Sequence, residues 1–75
     1  MDIFYKRLRD TREDKDLSQQ DVAKVLKMKY QQYQNYESGK RLMPLNHVKT
    51  LCKFYNLSPE YLMGFTNEPK PLPKK

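Results

Sequence analysis

Apolar residues recur along this chain at three- and four-residue steps, with polar residues filling the complementary positions. Phe4, Leu8 and Thr11, with Ile3 and Tyr5 beside them, stand in a charged segment. Residues 2–13 therefore read as an amphipathic helix with one inward stripe, and Asp2 is its candidate cap. Ser18 precedes Gln19-Gln20-Asp21 and the apolar set Val22, Ala23, Val25 and Leu26. That order makes a capping box, with the Ser18 hydroxyl accepting a backbone N–H and Asp21 at its third position, and predicts a short second helix ending at Leu26 or Lys27. Tyr33 and Tyr36, set among four amides, mark a third helix from Tyr30 to Ser38, and Gly39 follows where a helix end wants left-handed backbone. Pro44 opens a fourth helix with Leu45, Val48, Leu51, Cys52 and Tyr55 inward, and Asn56 can end it in the left-handed conformation. Ser58-Pro59-Glu60 is a further start signal, leading into Tyr61, Leu62 and, as a candidate, Phe65. Alternating patterns, β-branched runs and Asn-Gly turns are missing, so the class is all-α. Residues 1–65 read as the folded domain, and the Pro/Lys-rich stretch 66–75 as an extended, solvated, flexible tail.

Size and charge narrow what such a domain can do. At 75 residues there is room for one modest core and none for a cleft between two domains. The single cysteine, Cys52, cannot form an internal disulfide, which points to a reducing, cytoplasmic compartment. No apolar run approaches the roughly 20 residues of a membrane span, and the first residues do not make a signal peptide. The net charge is +6, of which residues 66–75 carry +2 and the rest +4. A basic excess on a small domain suits DNA, RNA or an anionic membrane, and also serves solubility alone.

The parts of an enzyme are not in place. His47 and Cys52 are five apart, whereas partners on one helical face need a spacing of three or four, and no second His or Cys completes a metal site. Asp10, Glu13, Asp14 and Asp16 read as a solvated rim, and the two glycines are too few for a nucleotide-binding loop. No catalytic residue, cofactor or metal is expected.

The second and third helices have the dimensions of a helix-turn-helix, joined at Lys27-Met28-Lys29, with the small Ala23 where two helices approach closely. With Tyr33 inward and about 100° per residue, Tyr36 and Glu37 stay near the inward side. Gln31, Gln34, Asn35 and Ser38 then fall on the far side, flanked by Tyr30 and Gln32. A face of amides suits base edges in the major groove, and Ser18, Gln19, Lys24, Lys27, Lys29, Lys40 and Arg41 would frame it with groups suited to phosphates. A merely polar surface has the same composition.

Leu17-Ser18-Gln19-Gln20-Asp21-Val22-Ala23, then Tyr36-Glu37-Ser38-Gly39-Lys40-Arg41 and Pro44, resembles the Cro and phage-repressor type of helix-turn-helix regulator, the XRE-like family. Arg12 and Leu57-Ser58-Pro59-Glu60-Tyr61-Leu62 extend the likeness to roughly residues 3–65. The resemblance implies a compact five-helix, lambda-repressor-like bundle that sets its third helix in the major groove of double-stranded DNA, as a dimer on a two-fold operator. It implies base contacts at Tyr30, Gln31 and Asn35, with Gln34 and Gln32 as neighbours. Backbone contacts are implied at Gln19, Lys29, Ser38, Lys40 and Arg41, and an ion pair between Arg12 and Glu37. Two positions depart from the family. Lys27 stands where glycine is common, so an adjusted turn would avoid a left-handed lysine, and Lys29 replaces a capping Ser or Thr. A second reading, an antitoxin or anti-regulator whose main partner is a protein, rests on Phe54, Tyr61, Met63 and Phe65, which serve equally as a dimer contact.

Overall fold

Residues 3–72 are described by a computed structural model, and their regular elements are five helices. These are α1 (Ile3–Asp14), α2 (Gln19–Val25), α3 (Tyr30–Glu37), α4 (Leu45–Tyr55) and α5 (Pro59–Met63). Asp2, the candidate cap of α1, lies outside the described residues. The capping box of α2 forms as the sequence dictates: Asp21 N–H donates to Ser18 Oγ at 3.1 Å, and Ser18 N–H to Asp21 Oδ2 at 2.9 Å. Ser18's bond lowers the Asp21 pKa, an effect confined to an exposed side chain. Ser58 caps α5 in the same manner, with Pro59 at its first position.

Four helices close with one device. The last free carbonyls of α1, α2, α4 and α5 each receive a pair of N–H bonds across a left-handed residue, from Asp16 and Leu17, Lys27 and Met28, Asn56 and Leu57, and Gly64 and Phe65 respectively. Asp and Asn tolerate that backbone, and Gly64 has a second reason to be glycine, because a Cβ there would lie 2.5 Å from Ile3 Cγ2. Lys27 is the exception. Its φ of 56° shows that the turn does not adjust: the chain accepts a left-handed lysine so that Met28 N–H can reach Ala23 O at 3.0 Å.

Each helix sends one fully buried side chain to the centre, namely Leu8, Val22, Tyr33, Leu51 and Leu62. Helix α2 packs on α3, α1 on both α3 and α5, and α4 on α5. Phe4 and Tyr5 meet edge to face at 5.1 Å, closing the core near the start of α1. Leu45 is the residue that departs from its expected place, being 68% exposed. It shares the stripe of Val48, Leu51, Cys52 and Tyr55, but it begins α4, where it lines two open grooves and stays accessible. Phe65 is likewise outside α5 and exposed.

The expected flexible tail is tethered through its described part. The Arg7 guanidinium lies 4.2 Å over the Tyr61 ring and donates to the Tyr61 carbonyl, to Thr66 O at 2.6 Å and to Asn67 Oδ1 at 2.9 Å. Further on, Ser58 N–H donates to Lys70 O at 2.8 Å, Leu72 N–H to Asn56 Oδ1 at 3.3 Å, and the Leu72 side chain packs on the core. Residues 66–72 are thus mostly exposed but run along the body instead of projecting from it. Residues 73–75 lie outside the described part.

Candidate nucleic-acid interface

The third helix is held from below by a buried charge. Glu37, at its C-terminal end, receives Arg12 Nε at 2.9 Å on one oxygen and Arg12 Nη2 at 3.0 Å on the other, with both side chains almost buried (3% and 12% exposed). Arg12 Nη1 also donates to Leu17 O at 2.7 Å, which ties the α1–α2 junction into the same assembly. Gln19 Nε2 adds a third donor to the carboxylate at 3.1 Å. Burial raises the Glu37 pKa, but the bonds from Arg12, the neighbouring Tyr33 hydroxyl and the bond from Gln19 outweigh it and hold the group below the usual carboxylate range. The Arg12 pKa is raised in turn, first by its bond to Glu37. One carboxylate therefore locks α1, α2 and α3 together.

Gln19, expected to contact the DNA backbone and to support the third helix, is bonded to the carboxylate at that helix's end. One of its two amide hydrogens is committed to Glu37, and the second has no partner among the described residues. It lines an open recess of about 370 Å³ with Arg12, Ser18, Gln20 and Tyr30, where the starts of α2 and α3 meet. Sequence reasoning placed neither Gln20 nor the Gln19–Glu37 bond here, because a contact eighteen residues apart leaves no local signal.

The outer face of α3 is chemically free. Gln31, Gln32 and Gln34 are exposed and Asn35 is half-buried, and none of their side-chain amides has a hydrogen-bond partner among the described residues. Tyr30 begins the helix 43% exposed. Lys29 sits at the cap position with no side-chain bond to the helix start, as expected of a lysine. Ser38 behaves differently from the expectation of a phosphate donor: its hydroxyl donates to Asn35 O at 3.2 Å and so offers no proton outward in this rotamer. That same carbonyl accepts Arg41 N–H at 3.2 Å, which folds the following loop back on the helix and fixes where Lys40 and Arg41 begin.

Cations stand on both sides of this face. Lys24 lies on α2, Lys27 and Lys29 in the turn, and Lys40 and Arg41 after Gly39, all exposed. The ion pairs among the described residues are elsewhere: Lys6 and Arg9 with Asp10, Arg12 with Glu37, and Lys70 with Glu68. The single carboxylate of α3 is the buried Glu37, and the five cations form no ion pair among the described residues, with Asp21 near enough to Lys24 for the two charges to interact.

The four candidate partner-surface residues do not share one groove. Tyr61 lies under Arg7 and lines a recess with Thr11, Tyr55 and Pro69, while Phe54 leans on Tyr55 at 5.1 Å. Met63 instead joins Leu42, Met43, Leu45, Val48 and the Phe4–Tyr5 pair around an apolar groove of about 270 Å³. Leu42 (85% exposed) was not singled out beforehand, since a lone leucine in a loop carries no periodicity. No group of three His, Cys, Asp or Glu residues among the described residues could hold a metal, and no helix is long and apolar enough to cross a membrane.

A short helix pinned beneath, unpartnered amides above and free cations at each end define a helix-turn-helix DNA-binding domain. Residues 8–62 match the helix-turn-helix family, and the chain belongs to it. It is 28% identical over 69 residues to an uncharacterized HTH-type transcriptional regulator, YobD, of Bacillus subtilis (strain 168). That similarity covers 92% of this chain and 62% of the relative, so the chain spans less than two thirds of that protein's length. No solved structure matches.

Proposed function

We propose that this chain is a sequence-specific, double-stranded DNA-binding transcriptional regulator, acting without catalysis as a repressor that occupies a two-fold operator as a dimer. The observation that carries the reading is the pairing of an uncommitted amide face on α3 with five unpaired cations around it. Phosphates meet Ser18, Gln19, Lys27, Lys29, Lys40 and Arg41, which set affinity and its salt dependence, while Tyr30, Gln31, Gln34 and Asn35, with Gln32 at the edge, read bases. Quantitative binding to a selected and to a random duplex tests the division. Gln31→Ala is expected to lose about 1–3 kcal/mol on the selected site alone, and Lys40→Ala to weaken both duplexes alike. Equal losses on both duplexes from both substitutions would rule out the base-reading assignment.

The dimer contact is assigned to the groove of Leu42, Leu45 and Met63, which opens beside the loop leaving α3. The second reading, capture of another protein with DNA binding secondary, rests on Phe54, Tyr61, Met63 and Phe65, of which Met63 also lines this groove. Light scattering with and without operator DNA separates them: two chains per duplex, lost in Leu45→Glu, supports the dimer, and a monomer under both conditions supports the protein partner.

A further inference from the structure

The face of α3 carries more than a general fitness for DNA; what it lacks is as informative as what it holds. In the major groove guanine offers two acceptors, best met by the paired donors of Arg or Lys, and cytosine offers a donor, best met by a carboxylate. Adenine offers an acceptor beside a donor, the complement of an Asn or Gln amide, and thymine adds a methyl group that an apolar side chain can touch. Between Tyr30 and Ser38 the helix has no Arg or Lys at all. Its one carboxylate, Glu37, is 3% exposed and fully engaged by Arg12 and Gln19, so it cannot reach a cytosine. What remains outward is the unpartnered amides of Gln31, Gln34 and Asn35, with the half-exposed ring of Tyr30 at the helix start.

We infer that the half-site read by this protein is built on A·T pairs, with adenines facing Gln31, Gln34 and Asn35 and a thymine methyl against the ring of Tyr30. The inference rests on the DNA-reading function proposed above and names the base chemistry that function requires. It also assigns the preference to the major groove. Lys27 and Lys29 precede α3, Lys40 and Arg41 follow it and Lys24 lies on α2, so the cations stand outside the reading face and supply affinity to any duplex.

Selection from a random duplex pool with the full chain, at two salt concentrations, is the first arm. The expected product is a half-site with an A·T core. An enriched half-site with a G·C core would overturn the base assignment while leaving sequence-specific binding intact, and salt-sensitive binding with no enrichment would overturn both. The second arm replaces the core A·T pairs, one at a time, by inosine·C, which presents the major-groove pattern of G·C without the guanine amino group in the minor groove. Loss of affinity on the order of ten-fold at each amide-read pair is expected, and it should vanish at the matching pair in Gln31→Ala or Asn35→Ala. Undiminished binding to inosine·C would show that the preference comes from minor-groove shape and not from these amides. Uracil in place of thymine at the pair beside Tyr30 should weaken the native protein several-fold and Tyr30→Ala not at all. An equal loss in the two proteins would remove Tyr30 from the assignment.

Discussion

The two sides of α3 differ in how far their polar groups are committed. On the inner side Glu37 accepts from Arg12 and Gln19 and is nearly sealed from water; on the outer side Gln31, Gln32, Gln34 and Asn35 are polar, accessible and bound to nothing among the described residues. A committed polar group fixes geometry, and removing its partner leaves a buried charge stranded. An uncommitted one contributes almost nothing to the fold and keeps its full bonding capacity for a ligand. The contrast separates residues that place the helix from residues that use it.

The largest test of the contrast is Glu37→Gln, expected to cost about 3–5 kcal/mol in urea denaturation because Arg12 is left unpaired. A loss under about 1 kcal/mol would mean that water reaches the pair. Acid probes the same side. The folded-state pKa of Glu37 lies below its unfolded value, so the stabilisation is complete above about pH 4.3 and disappears as pH falls through the folded value. Melting temperature should therefore drop steeply below that pH in the native chain and much less in Glu37→Gln.

Next in size is Lys27→Gly. Relieving a left-handed lysine should add about 1 kcal/mol of stability while weakening DNA binding through the lost cation, and unchanged binding would place Lys27 away from the phosphates. The inner side also has a flaw. The Tyr55 hydroxyl is buried without a hydrogen-bond partner among the described residues, while the Tyr33 hydroxyl is buried beside Glu37. Burial, with the Glu37 charge behind it, pushes both phenols up, Tyr55 to about 12. Tyr55→Phe removes an unsatisfied group and should gain roughly 0.5–1 kcal/mol, and a measurable loss would reveal an ordered water on the oxygen. Smallest is the outer face: Gln31→Ala and Gln34→Ala should each shift stability by less than about 0.5 kcal/mol in the same denaturation experiment, whatever they do to DNA binding.

Much of this arrangement was legible in the chain because its causes are local. A serine with an aspartate three residues on, a proline after a serine, and an asparagine or glycine after an apolar stripe each act within one turn, and α2, α4 and α5 begin or end where those signals stand. The outer face followed from the angular step of a helix once Tyr33 was set inward. Long-range features were hidden. Arg7 looks like one more charge on an amphipathic helix, yet it anchors residues fifty-four to sixty positions away. Leu45 has the right phase to be buried but lines an open groove instead, which periodicity cannot reveal. Arg12 and Glu37 were joined by family resemblance alone, since nothing between residues 12 and 37 announces the pair.

The five side chains at the centre come one from each helix. No helix can leave without opening a hole that the other four line, and α3, at eight residues, is too short to persist by its own hydrogen bonds. Helix α3 therefore has no private melting transition. Its amide protons at Tyr33 and Tyr36 should exchange with solvent only when the whole domain opens, at the same rate as those of Leu8 and Leu51.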